Sequence, residues 1–389
     1  MEYAFRRAAA FFVLGTILGA PALAQSPATG WQVGAVIDIS AASRELALGQ
    51  RRKGLGLGHS DFAASGPLGK HLDAQLTASV HSEDHKIKGE FEEIWVQTRT
   101  LPAGLQLRAG RFSSQLGYLN EQHQHTDDFV ERPLLYRAFL GGHWFDEGVR
   151  LNWTAPTDLY LRLGAEVFRG KRLVRDAASA RRPGAFVLSA KAGGDIGANQ
   201  SWQAGLSLLQ NRREAAVEAH GAEELHEEEE EDEGHVEDEG GHAHAHGAAF
   251  SGRRMWIGEV AWKWAPDGNN ARQQVRIAYE IAQISRPNRF AGSGDRHTAQ
   301  YLSAVWRFAP TWEVGARHDL LRVRIPHEDH FDNGRLRETA LMLAWKPSHA
   351  QTLRVQLTQQ RNRAGFEQAA RAVQLQYILS FGAHAAHSF

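Results

Sequence analysis

Apolar and polar side chains alternate with a period of two along much of this 389-residue chain. Leu72, Ala74, Leu76, Ala78 and Val80 interleave with Asp73, Gln75, Thr77 and Ser79; Leu159, Leu161, Leu163, Ala165 and Val167 interleave with Tyr160, Arg162, Gly164 and Glu166. Val275–Ile281 carries Arg276 and Glu280 on its polar side, and Leu353–Leu357 carries Arg354 and Gln356. Successive side chains of a strand point to opposite faces, so this alternation predicts strands with one apolar and one polar face. With almost no helical stretch, many such strands predict a sandwich or a barrel.

The connections separate the two. Seven short turns recur: Gly66-Pro67, Leu101–Gly104, Pro156–Asp158, Gly194–Gln200, Pro266–Gly268, Ala309–Thr311 and Pro347-Ser348. Between them lie eight longer polar connections, at 40–53, 81–86, 112–146, 169–183, 211–253, 284–297, 325–336 and 362–370. Fifteen connections join sixteen strands, with both termini on the short-turn side. An even number of antiparallel strands, short turns at one end and long loops at the other predict an all-β transmembrane β-barrel, its turns periplasmic and its loops extracellular. Trp153, Trp306, Trp312 and Trp345 fall beside turns, where a membrane–water interface suits an apolar ring with a wet N–H. Trp256, Trp262 and Trp264 share one strand face. From Val373 to Phe389 the odd positions are apolar except His387.

Residues 1–24 have the pattern of a signal peptide: Arg6 and Arg7, an apolar run Ala8–Ala20 too short to span a bilayer as a helix, and Ala22-Leu23-Ala24 before the cleavage point. Residues 25–389 then form a single barrel domain in the outer membrane of a Gram-negative bacterium, surrounded by lipid and lipopolysaccharide. The chain has no cysteine, which excludes disulfides and thiolate metal sites.

Charge is unevenly distributed. The formal net charge is −1, but thirteen acids and six histidines, with no Lys or Arg, crowd between Glu218 and His246, so the rest of the chain is basic. Within loop 211–253, His220, His226, His235, His242, His244 and His246, with Glu227, Glu228, Glu229 and Asp232, supply the imidazole and carboxylate donors that zinc and its neighbours take. Few apolar side chains interrupt the run, which equally suits a merely solvated acidic segment. No cofactor is required; zinc is the ion expected on this loop.

Strand parity places Arg108, Arg150, Arg162, Arg276, Arg317 and Arg354 on the lumen face as pore-lining residues, along with Glu166, Glu259, Glu280, Glu313, Asp319 and Glu338. Such residues either bias the lumen toward anions or pair with one another to brace the wall. A sixteen-stranded barrel leaves a wide lumen unless something fills it. The third loop, 112–146, is the candidate constriction. Its Phe129, Val130, Leu134, Leu135, Tyr136, Phe139 and Leu140 need an apolar surface to pack on. Its His123, His125, Asp127, Asp128 and His143 make either a polar constriction or a site presenting two imidazoles and a carboxylate to one cation.

The plan of signal peptide, sixteen strands, infolded third loop and terminal Phe389 resembles the general porins. More narrowly, that plan is similar to relatives of the phosphate-selective porins O and P. Gly110-Arg111-Phe112, Gly117-Tyr118-Leu119-Asn120, His123-x-His125, Phe139-Leu140-Gly141-Gly142 and Asp146-x-Gly148-Val149 resemble a set labelled zinc-regulated or TonB-dependent-receptor-like outer-membrane proteins, whose members often carry a His-rich loop. The lysine cluster and arginine ladder that phosphate selectivity requires have no counterpart here. The first strand, near Trp31–Ile39, follows the cleavage point too closely for a receptor's plug domain.

The function expected is passive diffusion of small solutes or ions through a porin-type channel, with the acidic loop gathering zinc at its mouth and three barrels associating as porins commonly do. The alternative is a metal-buffering or adhesive surface protein with a blocked lumen. Enzymatic activity is not expected, because Ser113 and Ser114 lie in no nucleophile motif. Nucleic acid is not expected either, since the basic residues alternate along strands and form no patch.

Overall fold

The computed structural model describes residues 30–83, 86–174, 183–213, 248–288, 290–327 and 330–382. The segment 1–24, the acidic stretch Glu214–Gly247 with its ten candidate ligands, and Phe389 lie outside the described residues.

The strands are β1 (Gln32–Ala42), β2 (Gly54–Leu57), β3 (Ser60–Leu68), β4 (Leu72–Glu83), β5 (Lys86–Thr98), β6 (Leu105–Ser113), β7 (Phe145–Thr154), β8 (Tyr160–Phe168) and β9 (Ala185–Ile196). They continue as β10 (Gln200–Asn211), β11 (Arg254–Trp264), β12 (Gln274–Ser285), β13 (Arg296–Ala309), β14 (Trp312–His327), β15 (His330–Ser348), β16 (Gln351–Ala364) and β17 (Arg371–Gly382). Neighbours pair antiparallel, and β1 closes the ring against β17 from Gly34↔Gly382 to Ala41↔Leu375. β2 and β3 occupy one place in the ring, both pairing with β1, so the closed sheet counts sixteen strands.

The alternation sorts each strand between lipid and lumen. Leu76, Leu151, Leu163, Leu206, Leu302, Leu341, Leu357, Val373 and Leu375 are exposed on the outer wall, while Glu166, Glu259, Glu280, Asp319 and Glu338 are buried inside. A charge on the lipid side costs about 2–4 kcal/mol at the bilayer midplane, so an apolar band this continuous marks a wall built for membrane. Trp306, Trp312 and Trp345 ring the short-turn end, the last two with centroids 6.2 Å apart. Among the described residues no helix is long and apolar enough to cross a membrane; the strands do the crossing.

Connections alternate short and long as the turn residues require, with three boundaries displaced. The first turn falls at 69–71 and not at Gly66-Pro67, because Pro67 sits opposite Asp73 in the ladder. The connection expected at 81–86 is largely strand, with Glu83 opposite Lys86 in the ladder. The loop expected at 325–336 is mostly strand: β14 and β15 stay paired out to His327↔His330, since polar residues beyond the membrane cost a strand nothing.

The third loop folds inward. Its helix α1 (Leu134–Phe139) is wholly buried, and Leu134, Leu135, Tyr136 and Phe139 pack with Met255, Ile257, Ala282, Ile284, Tyr301, Leu321 and Val323 of the inner wall. Apolar residues thus interrupt the polar parity of the lumen where the loop lands. Removing this surface from water drives the loop inward, at about 25 cal/mol per Å².

Candidate metal centre at the constriction

Polar anchors fix the loop where its apolar face rests. Arg317 donates from Nε to Asp319 Oδ2 at 2.7 Å, from Nη1 to the Glu131 carbonyl at 2.5 Å and from Nη2 to Glu338 Oε1 at 2.8 Å. The Arg137 guanidinium also binds Glu338. The Tyr136 hydroxyl bonds Glu280 and accepts the Leu119 amide at 2.8 Å. Gly117 has φ +72°, and a Cβ there would stand 2.4 Å from the Tyr136 hydroxyl, so this bend requires glycine. Asn120 ties the loop's two ends together: its Nδ2 donates to the Ser114 and Trp144 carbonyls, and its Oδ1 accepts the Trp144 amide.

The tip, Gln122–Thr126, reaches the wall formed by β3, β4 and β5. Two bulges have prepared that wall. On β5, Thr77 faces Glu93 while Ala78 faces Phe91, leaving Glu92 as an extra residue. Glu92 and Glu93 are therefore consecutive yet both buried in the lumen. Between β2 and β3, Leu57 faces Ile39 and Asp61 faces Val36, so four steps on one strand match three on the other. Bulges of this kind re-aim side chains; this one brings His59 inward beside Asp61.

The result is a concentrated set of imidazoles and carboxylates. His59 Nε2 contacts Glu92 Oε1 and lies 3.6 Å from Asp61 Oδ1. His123 Nδ1 lies 3.4 Å from Asp61 Oδ2 and 3.9 Å from Glu92 Oε2, and its Nε2 lies 3.4 Å from Glu93 Oε2. His125 Nδ1 lies 2.9 Å from Asp61 Oδ2. The His81 ring stacks on His59 with centroids 6.1 Å apart. His143 directs Nε2–H to the Asn120 carbonyl at 2.9 Å, while its buried Nδ1 has no hydrogen-bond partner. A histidine with one nitrogen fixed on a backbone carbonyl and the other free is set up as a metal ligand.

Donor atoms of His59, Glu92 and His143, and separately those of Asp61, Glu92 and His123, lie within 4.8 Å of one another. Around a tetrahedral zinc-like ion at about 2.0–2.2 Å, donors stand roughly 3.3–3.6 Å apart, so side-chain shifts of about an ångström bring each trio into range. Mixed nitrogen and oxygen donors suit a transition metal better than calcium or magnesium. The local field also divides two of the loop's three imidazoles. Burial opposes charge on His123, but Asp61 and Glu93 outweigh it and hold its pKa well above the ordinary value. Burial, with the charges of Arg132 and His123 beside it, holds His143 well below.

Of the loop residues singled out from sequence, His123, His125 and His143 come together here, and Asp127 and Asp128 do not. Asp127 is turned to Arg132, which donates Nε to its Oδ2 at 2.7 Å, and Asp128 pairs with Arg276 at 2.6 Å. Sequence reasoning missed His59, Asp61, His81, Glu92 and Glu93. The available signal was a break in alternation, Phe91-Glu92-Glu93-Ile94, with two adjacent polar residues between apolar ones.

The six arginines expected along the pore are engaged with partners. Arg150 is buried on Glu166 and the Ser113 carbonyl, Arg317 beneath the loop, and Arg354 between Gln376 and the Asp127 carbonyl. Arg108 stacks on Trp95 at 3.8 Å, Arg162 pairs with Glu121 at 2.7 Å and Arg276 with Asp128 and Glu313.

On the long-loop side, a cavity of about 600 Å³ is lined by His59, Glu92, Gln124 and His143. On the short-turn side, one of about 700 Å³ is lined by His125, Asp128, Arg276 and the turns near Pro310 and Pro347. Gln124 and His125 are consecutive, so the two cavities approach each other at the loop tip.

No protein-family model matches the chain. An uncharacterised protein of Aquifex aeolicus is 27% identical over 363 residues, covering 87% of this chain and 71% of that one. Among solved structures, OprB of Pseudomonas putida in its high-pH form superposes with TM-score 0.56 at 11% identity, covering 91% of this chain and 94% of its own. OmpF of Salmonella typhi, in complex with daunomycin, gives 0.56 at 7% identity over 91% and 98%. The anion-selective porin from Comamonas acidovorans gives 0.52 at 11% over 90% and 99%. Strand count, infolded third loop and these likenesses together establish the fold as that of the outer-membrane porins.

Proposed function

We propose that the protein is a diffusion channel of the Gram-negative outer membrane that passes small ions or solutes and performs no enzymatic chemistry. The observation that carries this reading is the pair of cavities, about 600 and 700 Å³, that approach each other at the tip of the infolded loop. A barrel serving only as a surface anchor has no need of a vestibule on each side of a polar constriction.

The acidic histidine-rich stretch completes the proposal. Its flanks, Asn211–Arg213 and Ala248, lie at the long-loop end, which supports reading the stretch as a weak, many-ligand collector of divalent cations, zinc first, near the outer mouth. Within the porin class we assign the chain to the neighbourhood of the phosphate-selective porins O and P and the zinc-regulated set. The sequence runs that resemble the zinc-regulated set fall on the constriction loop and its flanking strands. OmpT of Vibrio cholerae, a structural neighbour with TM-score 0.51, is known in a trimer form, which supports a homotrimer here too.

Planar-bilayer recording of the purified full chain tests the central claim. Stepwise ohmic conductance is expected; a folded barrel that never conducts would overturn the channel and favour a blocked lumen.

A further inference from the structure

The cluster at the loop tip is more than a ring of charge. Its two three-donor groups are distinct but share one residue. His59, Glu92 and His143 face the outer cavity, which all three line. Asp61, Glu92 and His123 lie deeper, beside His125, which lines the inner cavity. Glu92 belongs to both, and its two oxygens divide the work: Oε1 is the atom against His59, and Oε2 the atom 3.9 Å from His123.

We propose that the constriction is a two-position relay for a single divalent transition-metal ion, with Glu92 the ligand common to both positions. An ion arriving from the outer cavity takes His59, His143 and Glu92 Oε1. It passes inward by exchanging the first two for His123 and Asp61, while Glu92 swings its bond from Oε1 to Oε2. No position offers a full set of four tight protein ligands, so water completes each shell and the ion can leave. Conduction needs this balance between favourable entry and ready exit.

Two independent features support a ligand. His143 Nδ1 and Glu92 Oε2 are buried without hydrogen-bond partners, in residues 7% and 2% exposed. Unpaired buried polar atoms are costly and therefore rare unless something binds them. The bulges add to this: without the one at Glu92, the alternation of β5 would point only one of the two carboxylates inward. The donor chemistry names the class. Imidazole with carboxylate selects zinc and its neighbours over calcium and magnesium, which prefer all-oxygen shells.

The inference rests on the channel reading, and potassium current through the full-length protein in a planar bilayer, with ZnCl2 or CaCl2 added to either side, tests both. Zinc is expected to reduce the current at concentrations roughly 100-fold below those at which calcium acts. Glu92→Gln, which keeps the shape and removes the charge, is expected to raise the half-blocking zinc concentration at least about 100-fold, since even outer-shell partners of a metal are worth 10–100-fold. His143→Gln is expected to weaken block mainly from the loop side, and His123→Gln mainly from the turn side. The acidic stretch is common to all variants and cancels.

A conducting channel indifferent to zinc, equally sensitive to calcium, or unchanged by Glu92→Gln overturns the relay and leaves the channel reading standing. Equal weakening from both sides in both histidine variants overturns the two positions. If the wild type does not conduct, the channel reading fails by itself. Calorimetric ZnCl2 titration of the folded protein in detergent then decides the site: loss of one saturable step in Glu92→Gln supports it, and identical titrations overturn it. Heat-modifiable gel mobility confirms folding, and His143→Gln replaces any Glu92 variant that fails this check.

Discussion

Glu92 and Glu93 are neighbours in the chain, and both carboxylates are buried on the lumen side of the same strand. Only the extra residue opposite Thr77–Ala78 permits this. Deleting residue 92 is expected to restore an uninterrupted ladder, leave Glu93 opposite Thr77, and keep the barrel folded, because bulge removal shifts no other pairing on β4. High-affinity zinc block is expected to disappear as fully as in Glu92→Gln. Heat-modifiable mobility together with zinc titration checks both halves; a deletion that kept the zinc response would mean that Glu92 is not a ligand.

Arg317 is the pin between loop and wall. It lies buried between Asp319 and Glu338 and also holds the Glu131 carbonyl. Arg317→Ala leaves the buried Asp319 without its cation, although Arg137 still holds Glu338, a loss of about 3–5 kcal/mol for a broken buried pair. The loop is expected to detach before the barrel melts, because the backbone ladder does not depend on this contact. Single-channel current should rise and become noisier, while β-sheet circular dichroism at 25 °C stays unchanged. An unaltered conductance would show that the loop does not set the bore.

Acid should loosen the loop only at low pH. Burial works to raise the pKa of Glu121, but Arg162, Lys191 and Arg150 outweigh it and hold the carboxyl far below the usual carboxylate value of 4.5. With the folded value depressed, the pairing contributes fully above 4.5 and is lost as pH falls through the folded value. Amide-exchange protection at 115–122, corrected for intrinsic rates, should therefore differ between wild type and Glu121→Gln by a constant factor from pH 8 to pH 5. In Glu121→Gln it should be lower throughout. Loosening near pH 6 in the wild type would point to a different anchor.

Removing Glu214–Gly247 separates collector from constriction. Six histidines and the surrounding acids leave with it, so the weak, many-site part of a zinc titration should vanish. The single step that depends on Glu92 should remain with its affinity within about threefold, since no ligand of that step is touched. Calorimetry on the deletion variant reads both. Loss of the Glu92-dependent step would mean that the acidic loop itself reaches into the pore.

Much of the architecture is legible in the chain because a membrane wall is an unusually strict reader of pattern. Leu76 must face lipid and Thr77 the lumen, and the same constraint repeats on every strand, so alternation and turn residues suffice to count sixteen strands and to sort short turns from long loops. The apolar content of Leu134–Leu140 likewise announces a loop that cannot stay in water. Strand ends were the weak point: polar residues such as Asp332, Asn333 and Arg335 resemble a loop, yet hydrogen bonding continues past the membrane as far as the hairpin allows.

The candidate site was legible only on one side. His123-x-His125 and His143 lie on the infolded loop and could be singled out, because clustered imidazoles are conspicuous. Their partners lie on strands where a carboxylate looks like any other lumen residue, and two of them are placed by bulges that a strict period of two treats as errors. The aspartates nearest the histidines in sequence, Asp127 and Asp128, turned instead to Arg132 and Arg276, since a buried or half-buried carboxylate goes to the guanidinium within reach.

The sequence by itself determined the wall, because side-chain period and membrane polarity act on each strand locally. Only the tertiary structure decided the constriction, because it brings together His59, Asp61, Glu92, His123 and His143 from two connections and two strands. That convergence depends on where the loop's apolar face finds a matching surface and on which way two single-residue bulges turn their strands. Both are properties of the closed barrel and of no segment alone.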